Sequence, residues 1–243
     1  MSASRIVRLA EIDLWLEPQR WPFAESQADK IAAHWRARQA ERPRLFNGRV
    51  LVLGPHTLDP CSDGAYALRG ACLEVDYASF LAWKDFGFPE ASIANCFAAA
   101  ALLTSDGAFL LGEMAPHTAT AGSIYFPAGT PDLKDVFDGR VDLTASVTRE
   151  LGEETGLGVD DVAFGRDWTL VSDGRYFACL KLMRLAQTAE AAKAHIEAFL
   201  AADPEPELAR IHIARRPEDV DPRRSPRYVV DFLAFAFAQR LVG

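Results

Sequence analysis

Three carboxylates crowd into the nine residues Arg149-Glu150-Leu151-Gly152-Glu153-Glu154-Thr155-Gly156-Leu157. On a helix, positions three and four apart share a face, so Glu150, Glu153 and Glu154 converge on one side. Val147 and Leu151, four apart, form a separate apolar stripe that can face a core. Like charges at this spacing weaken an isolated helix. A cluster that costs stability invites a cation, and hard carboxylate oxygens favour Mg²⁺, Mn²⁺ or Ca²⁺ over softer metals. A structural Ca²⁺ site would also need loop ligands, which are missing around this string. Arg149, beside the cluster, can hold a carboxylate in one geometry through paired hydrogen bonds. A lone pair of glutamates on a helix is usually a solvated face; the ordered string is what sets this segment apart.

The elements that position these residues read as follows. Asp142 stands where it can cap a helix over residues 143–155, and Gly156 stands where a left-handed residue ends one. Ahead lie a short strand over 123–126, the run Pro127-Ala128-Gly129, and a loop rich in Gly, Pro and Asp up to Gly139. Hairpins are expected around Asp106-Gly107 and Asp173-Gly174, each between apolar runs. A helix over 188–202, a strand over 209–214 and a closing helix over 225–241 follow. The N-terminal part reads as a strand over 5–16, a helix over 25–42, strands over 49–53 and 66–77, and a short helix over 77–86. Strands and helices mix without strict alternation, which predicts an α+β fold with helices flanking a mixed sheet rather than a doubly wound parallel sheet. Residues 1–94 are read as an α/β extension packing on a core of residues 95–243.

The string Arg-Glu-Leu-x-Glu-Glu-x-Gly-Leu resembles the second half of the signature helix of the Nudix hydrolase superfamily at every defined position. The resemblance extends over about residues 95–220. In that family a glycine opens the motif, a glutamate follows six residues later, and the arginine comes after seven more. Pro127-Ala128-Gly129 resembles the Pro-Gly-Gly of the opening, yet Gly129 lies twenty residues before Arg149 rather than fourteen. An insertion of about six residues is therefore expected within 130–141. Counting back from Arg149 puts Val141 at the glutamate position, and the adjacent Asp142 either replaces that glutamate or caps the helix.

The resemblance implies a Nudix-type mixed sheet and hydrolysis of a pyrophosphate bond in a nucleoside diphosphate linked to another moiety. It implies Mg²⁺ or Mn²⁺ held by Glu150, Glu153 and Glu154, with Arg149 orienting a carboxylate. Some members recruit a further acid from a late loop as base or ligand. Glu207 is the candidate here, with Glu205 as its substitute and Glu113 as another option; a solvated acidic loop is the plain alternative. The N-terminal unit with Leu45-Phe46-Asn47-Gly48, ahead of an enlarged loop, resembles the layout of the UDP-sugar-hydrolysing branch and implies a nucleotide sugar. The competing reading is a nucleotide-binding or regulatory module whose catalysis has decayed. The enlarged loop and the missing glutamate favour it, and the retention of three mutually repelling carboxylates opposes it.

Composition sets the outer limits. The 243 residues carry a net charge of -8, which excludes the basic footprint of a nucleic-acid polymer binder. A small nucleotide-like substrate remains compatible, because a divalent metal reverses the local field. Cys61, Cys72, Cys96 and Cys179 show no paired spacing and read as free thiols in a reducing cytoplasm. The first twenty residues include Glu11 and Asp13, unlike a signal peptide, and the apolar run 96–103 is too short to span a membrane. Gly129 and Tyr125 are the expected substrate contacts. Tyr125 and its fellow aromatics Trp83, Phe86, Phe88 and Phe126 either stack on a base or fill the core. His56, His117 and His195 form no ligand spacing. Arg215-Arg216 and Arg223-Arg224 read as solvated charges, with phosphate contact or a homodimer contact left open.

Overall fold

The computed structural model describes residues 4–241. The N-terminal part runs β1 (Arg5–Glu17), α1 (Pro22–Ser26), α2 (Ala28–Glu41), β2 (Arg49–Pro60), β3 (Tyr66–Asp76) and α3 (Tyr77–Asp85). Next come β4 (Asn95–Leu103), β5 (Phe109–Met114), β6 (Ile124–Tyr125), β7 (Ala128–Gly129), β8 (Val136–Phe137), β9 (Arg140–Val141) and α4 (Leu143–Thr155). The chain ends with β10 (Val162–Ser172), β11 (Tyr176–Leu185), α5 (Ala189–Ala202), β12 (Leu208–Ala214) and α6 (Arg227–Ala238). The expected helix over 25–42 begins earlier, at Pro22 in the first turn, and breaks at Gln27 into α1 and α2.

One mixed sheet organises these elements, in the order β12-β5-β4-β11-β10-β1-β3-β2. Its parallel pairs are β4 with β11 and β1 with β3; the others are antiparallel. The fold is α+β, a mixed sheet flanked by helices. β4 shows why. All of its residues are buried, so it must be covered on both faces. Cys96, Ala98, Ala100 and Leu102 pack with Val147 and Leu151 of α4 and with Ile196 and Leu200 of α5. The alternate residues Phe97, Ala99, Ala101 and Leu103 pack with Val229, Phe232 and Leu233 of α6. Small alanines let helices approach from both sides. A third cluster, including Trp21, Phe23, Val52 and Trp83, seats α1–α3 on β2 and β3. Among the described residues, no helix is long and apolar enough to cross a membrane.

Candidate active site

The helix α4 forms where its local signals place it. The Asp142 carboxylate accepts from the backbone N–H of Thr144 at 2.7 Å and of Ala145 at 3.1 Å. Gly156 ends the helix at φ 73°, and a Cβ there would also overlap the Phe199 ring of α5. Leu143, Val147 and Leu151 anchor one face in the core. On the other face, Arg149 Nη1 donates to Glu150 Oε1 at 2.8 Å and to Glu153 Oε2 at 3.1 Å. Glu154 is 3% exposed, and its Oε2 is buried with no hydrogen-bond partner. Burial, then the charges of Glu150 and Glu207, push its carboxyl well above the usual range. Burial likewise pushes Glu150 up to about 7, against the pull of Arg149 and with the push of Glu153. Glu207, exposed just before β12, adds its charge to both shifts.

The loop ahead of the helix differs from the sequence expectation. Arg149 is held by Asp135: Nη2 donates to Oδ2 at 2.9 Å and Nε to Oδ1 at 3.2 Å. Asp135 is 1% exposed and also accepts from the Asp132 N–H. It lies six residues after Gly129, so the acid sits at the expected distance from the glycine, and the additional residues follow it. They are the hairpin β8–β9, whose Asp138 and Gly139 have φ 48° and 77°, as a type I′ turn requires. The hairpin closes at its base, where Asp142 N–H donates to Asp135 O at 2.8 Å. β9 then pairs with β1, matching Val141 to Leu14 and Arg140 to Trp15. Val141 is therefore a core residue and Asp142 a helix cap; neither takes the glutamate's place beside Arg149. The signal was available in Asp138-Gly139 between Val136-Phe137 and Arg140-Val141, and in counting forward from Gly129.

Gly129 and Tyr125 border a cavity of about 470 Å³, whose other walls include Asn95, Phe97, Tyr176 and Tyr228. Tyr125 Oη lies 2.8 Å from Thr120 Oγ1. Trp83 and Phe126 are fully buried core residues, and Phe88 packs between Trp83 and Tyr176. Phe97, Tyr176 and Tyr228 carry no such signal in the sequence, because neither periodicity nor spacing says which residues of β4, β11 and α6 open onto a cavity. The remaining candidates lie apart. Glu205 pairs with Arg44 at 2.6 Å. Glu113 is engaged by Arg210, His212 and Arg224. Arg215, Arg216 and Arg223 each pair with an aspartate. His117 and His195 are exposed, and His56 packs against Phe177.

Gly129 stays glycine for reasons of space. A Cβ there would overlap the Glu150 carboxylate. Gly129→Ala is expected to push Glu150 off its Arg149 contact and to lower activity at least tenfold with a melting temperature close to wild type. Paired kinetic and thermal-melting measurements check this; unchanged kinetics would show that the Glu150 position is not needed.

The donor set suits a hard divalent cation, and the orphaned Glu154 Oε2 marks where charge compensation is lacking. Among the described residues no group of three donors is closed around a point, and Glu150 and Glu153 are both turned onto Arg149. No family model matches the chain, and no curated protein matches it. Solved structures are similar over part of it. A Nudix hydrolase from M. smegmatis is 14% identical, with 61% of this chain and 88% of that one covered and a TM-score of 0.42. A Nudix hydrolase from Nitrosomonas europaea is 16% identical, covering 60% and 90%, TM-score 0.37. An Ap4A hydrolase from C. elegans is 15% identical, covering 60% and 98%, TM-score 0.37. Two of these are Nudix hydrolases. At such low overlap these likenesses carry no argument, and the functional reading rests on the residues of the site.

Proposed function

We propose that this chain is a Nudix-type pyrophosphohydrolase acting on a nucleoside diphosphate linked to another moiety, with Mg²⁺ or Mn²⁺ held by Glu150, Glu153 and Glu154. The observation that carries this is the joined set Asp135–Arg149–Glu150/Glu153 beside the buried, unpartnered Oε2 of Glu154. Such an ion, when bound, screens the pyrophosphate charge and acidifies water. Arg149, clamped on one side by Asp135, presents Glu150 and Glu153 in fixed positions. The bare backbone at Gly129 leaves room for the Glu150 carboxylate to lie against it. Glu207, whose charge acts on Glu150 and Glu154, takes the proton of the attacking water at its carboxylate. The decayed-module alternative draws on the enlarged loop and the absent glutamate; the acid that Asp135 offers to Arg149 supports the active reading.

Residues 95–243 form the catalytic unit in this reading, and residues 1–94 form an extension that borders the cavity through Lys84. The four unpaired cysteines support a reducing, cytoplasmic setting. The test is a panel of UDP-sugars, ADP-ribose, NADH, dinucleoside polyphosphates and coenzyme A with Mg²⁺ or Mn²⁺, following release of monophosphate. Turnover of at least one member is expected, and it should fall by on the order of 10²-fold in Glu207→Gln. No turnover with either metal would overturn the proposal; an unchanged rate in Glu207→Gln would remove that residue alone.

A further inference from the structure

The cavity beside the carboxylates has an imbalance of charge that the proposed reaction does not use. Ala128, Gly129 and Thr130 line it, and the backbone of Gly129 abuts the Glu150 carboxylate. Its charged lining consists of Lys84, Arg175, Arg227 and Asp173. Two of the three cations have carboxylates of their own: Arg175 pairs with Asp173 at 2.9 Å, and Arg227 with Asp231 at 3.2 Å. Lys84 has none among the described residues. Its ammonium lies 5.1 Å from the centre of the Phe80 ring. Burial lowers its pKa, and the charge of the neighbouring Asp85, itself engaged by His34 and Arg38, offsets only part of that cost. Lys84 stands in the last turn of α3, where a cation is mildly favoured by the helix dipole, but that preference does not require the side chain to line a cavity.

We infer that the substrate's moiety beyond the cleaved bond carries a second anionic group, a phosphate or a carboxylate, and that Lys84 of the N-terminal unit binds it. This rests on the hydrolase reading above and deepens it. The cavity is lined at Gly129, whose backbone abuts the Glu150 carboxylate, and at Lys84, the one lining cation without a salt-bridge partner among the described residues. Tyr125, Phe97, Tyr176 and Tyr228 are also in its walls. An anion at Lys84 meets a charge already stripped of much of its water, where an ionic hydrogen bond is stronger than at an open surface. In a protein of net charge -8, this local excess is selective for the anion-bearing member of a substrate pair. The N-terminal extension thereby acts in specificity, since the core alone lacks this ammonium.

The experiment uses matched pairs that differ only in the moiety beyond the cleaved bond: ADP-ribose 1″-phosphate against ADP-ribose for the phosphate, and UDP-glucuronate against UDP-glucose for the carboxylate. Wild type, Lys84→Met and Lys84→Arg are compared by kcat and KM. Wild type is expected to prefer the anion-bearing member of one pair, and the pair that shows this names the group. Lys84→Met should reduce that preference at least tenfold through KM, Lys84→Arg should keep it, and the melting temperature of Lys84→Met should equal or exceed wild type. No preference in either pair, or a preference that survives Lys84→Met, would overturn the inference. If no nucleotide is hydrolysed, the hydrolase reading fails by itself. Calorimetric binding of the same pairs without metal still decides the role of Lys84: a Lys84-dependent preference supports it, and equal binding of both members overturns it.

Discussion

Glu154→Gln is expected to lower kcat by on the order of 10²–10³-fold while the folded apo-protein becomes no less stable. The two halves of this result have one cause. Glu154 is buried, and its carboxyl is pushed well above its usual range by burial and by Glu150 and Glu207. A carboxyl whose folded pKa is raised contributes stability only at low pH and loses it as pH rises, so at neutral pH it opposes folding. An uncharged amide of the same shape removes that opposition. It also removes the charge that a divalent ion needs from the least solvated of the three helix acids. The measurement is steady-state kinetics beside thermal melting of the metal-free protein. Wild-type turnover in this variant would mean that the metal is held elsewhere, and a collapsed melting temperature would mean that Glu154 is structural.

The second expectation separates two aspartates that the sequence places near each other. Asp135→Ala leaves a half-buried guanidinium without its bidentate partner and is expected to cost about 3–5 kcal/mol of stability. With Arg149 free to turn, Glu150 and Glu153 lose their fixed positions, and kcat should fall by about 10–100-fold. Asp142→Ala removes only a helix cap, with a cost of about 1 kcal/mol and activity retained. Asp135→Asn serves as the shape-preserving control, since it keeps one acceptor for Arg149 and loses the charge. Denaturant unfolding and kinetics on the three variants make the comparison. If Asp142→Ala proved the more damaging to catalysis, Asp142 rather than Asp135 would be the acid that matters.

Local rules decided the parts of this protein that were legible beforehand. The bounds of α4, its Asp142 cap and its Gly156 stop follow from signals within a few residues of each helix end, and the helix was read correctly from them. The turns at Asp106-Gly107 and Asp173-Gly174 were readable for the same reason. The break at Gln27 was not, because its neighbours Phe23 and Ile31 are fixed by packing on β2 and β3. The hairpin β8–β9 was missed although its Asp-Gly turn was visible, because two-residue strands take most of their definition from a partner. That partner is β1, more than a hundred residues away in sequence.

By itself, then, the sequence determined a helix with three carboxylates on one face, since helical period depends only on near neighbours. The mixed sheet with flanking helices was equally open to reading. Which acid meets Arg149 was a tertiary decision: the hairpin loops out between Asp135 and Asp142 and is pinned to β1, so that Asp135 is buried against the guanidinium. So was the lining of one cavity by Lys84, Tyr176 and Tyr228. These meetings join residues whose separation along the chain carries no periodic signal. Only the closing of the sheet and the burial of its two faces bring them within reach.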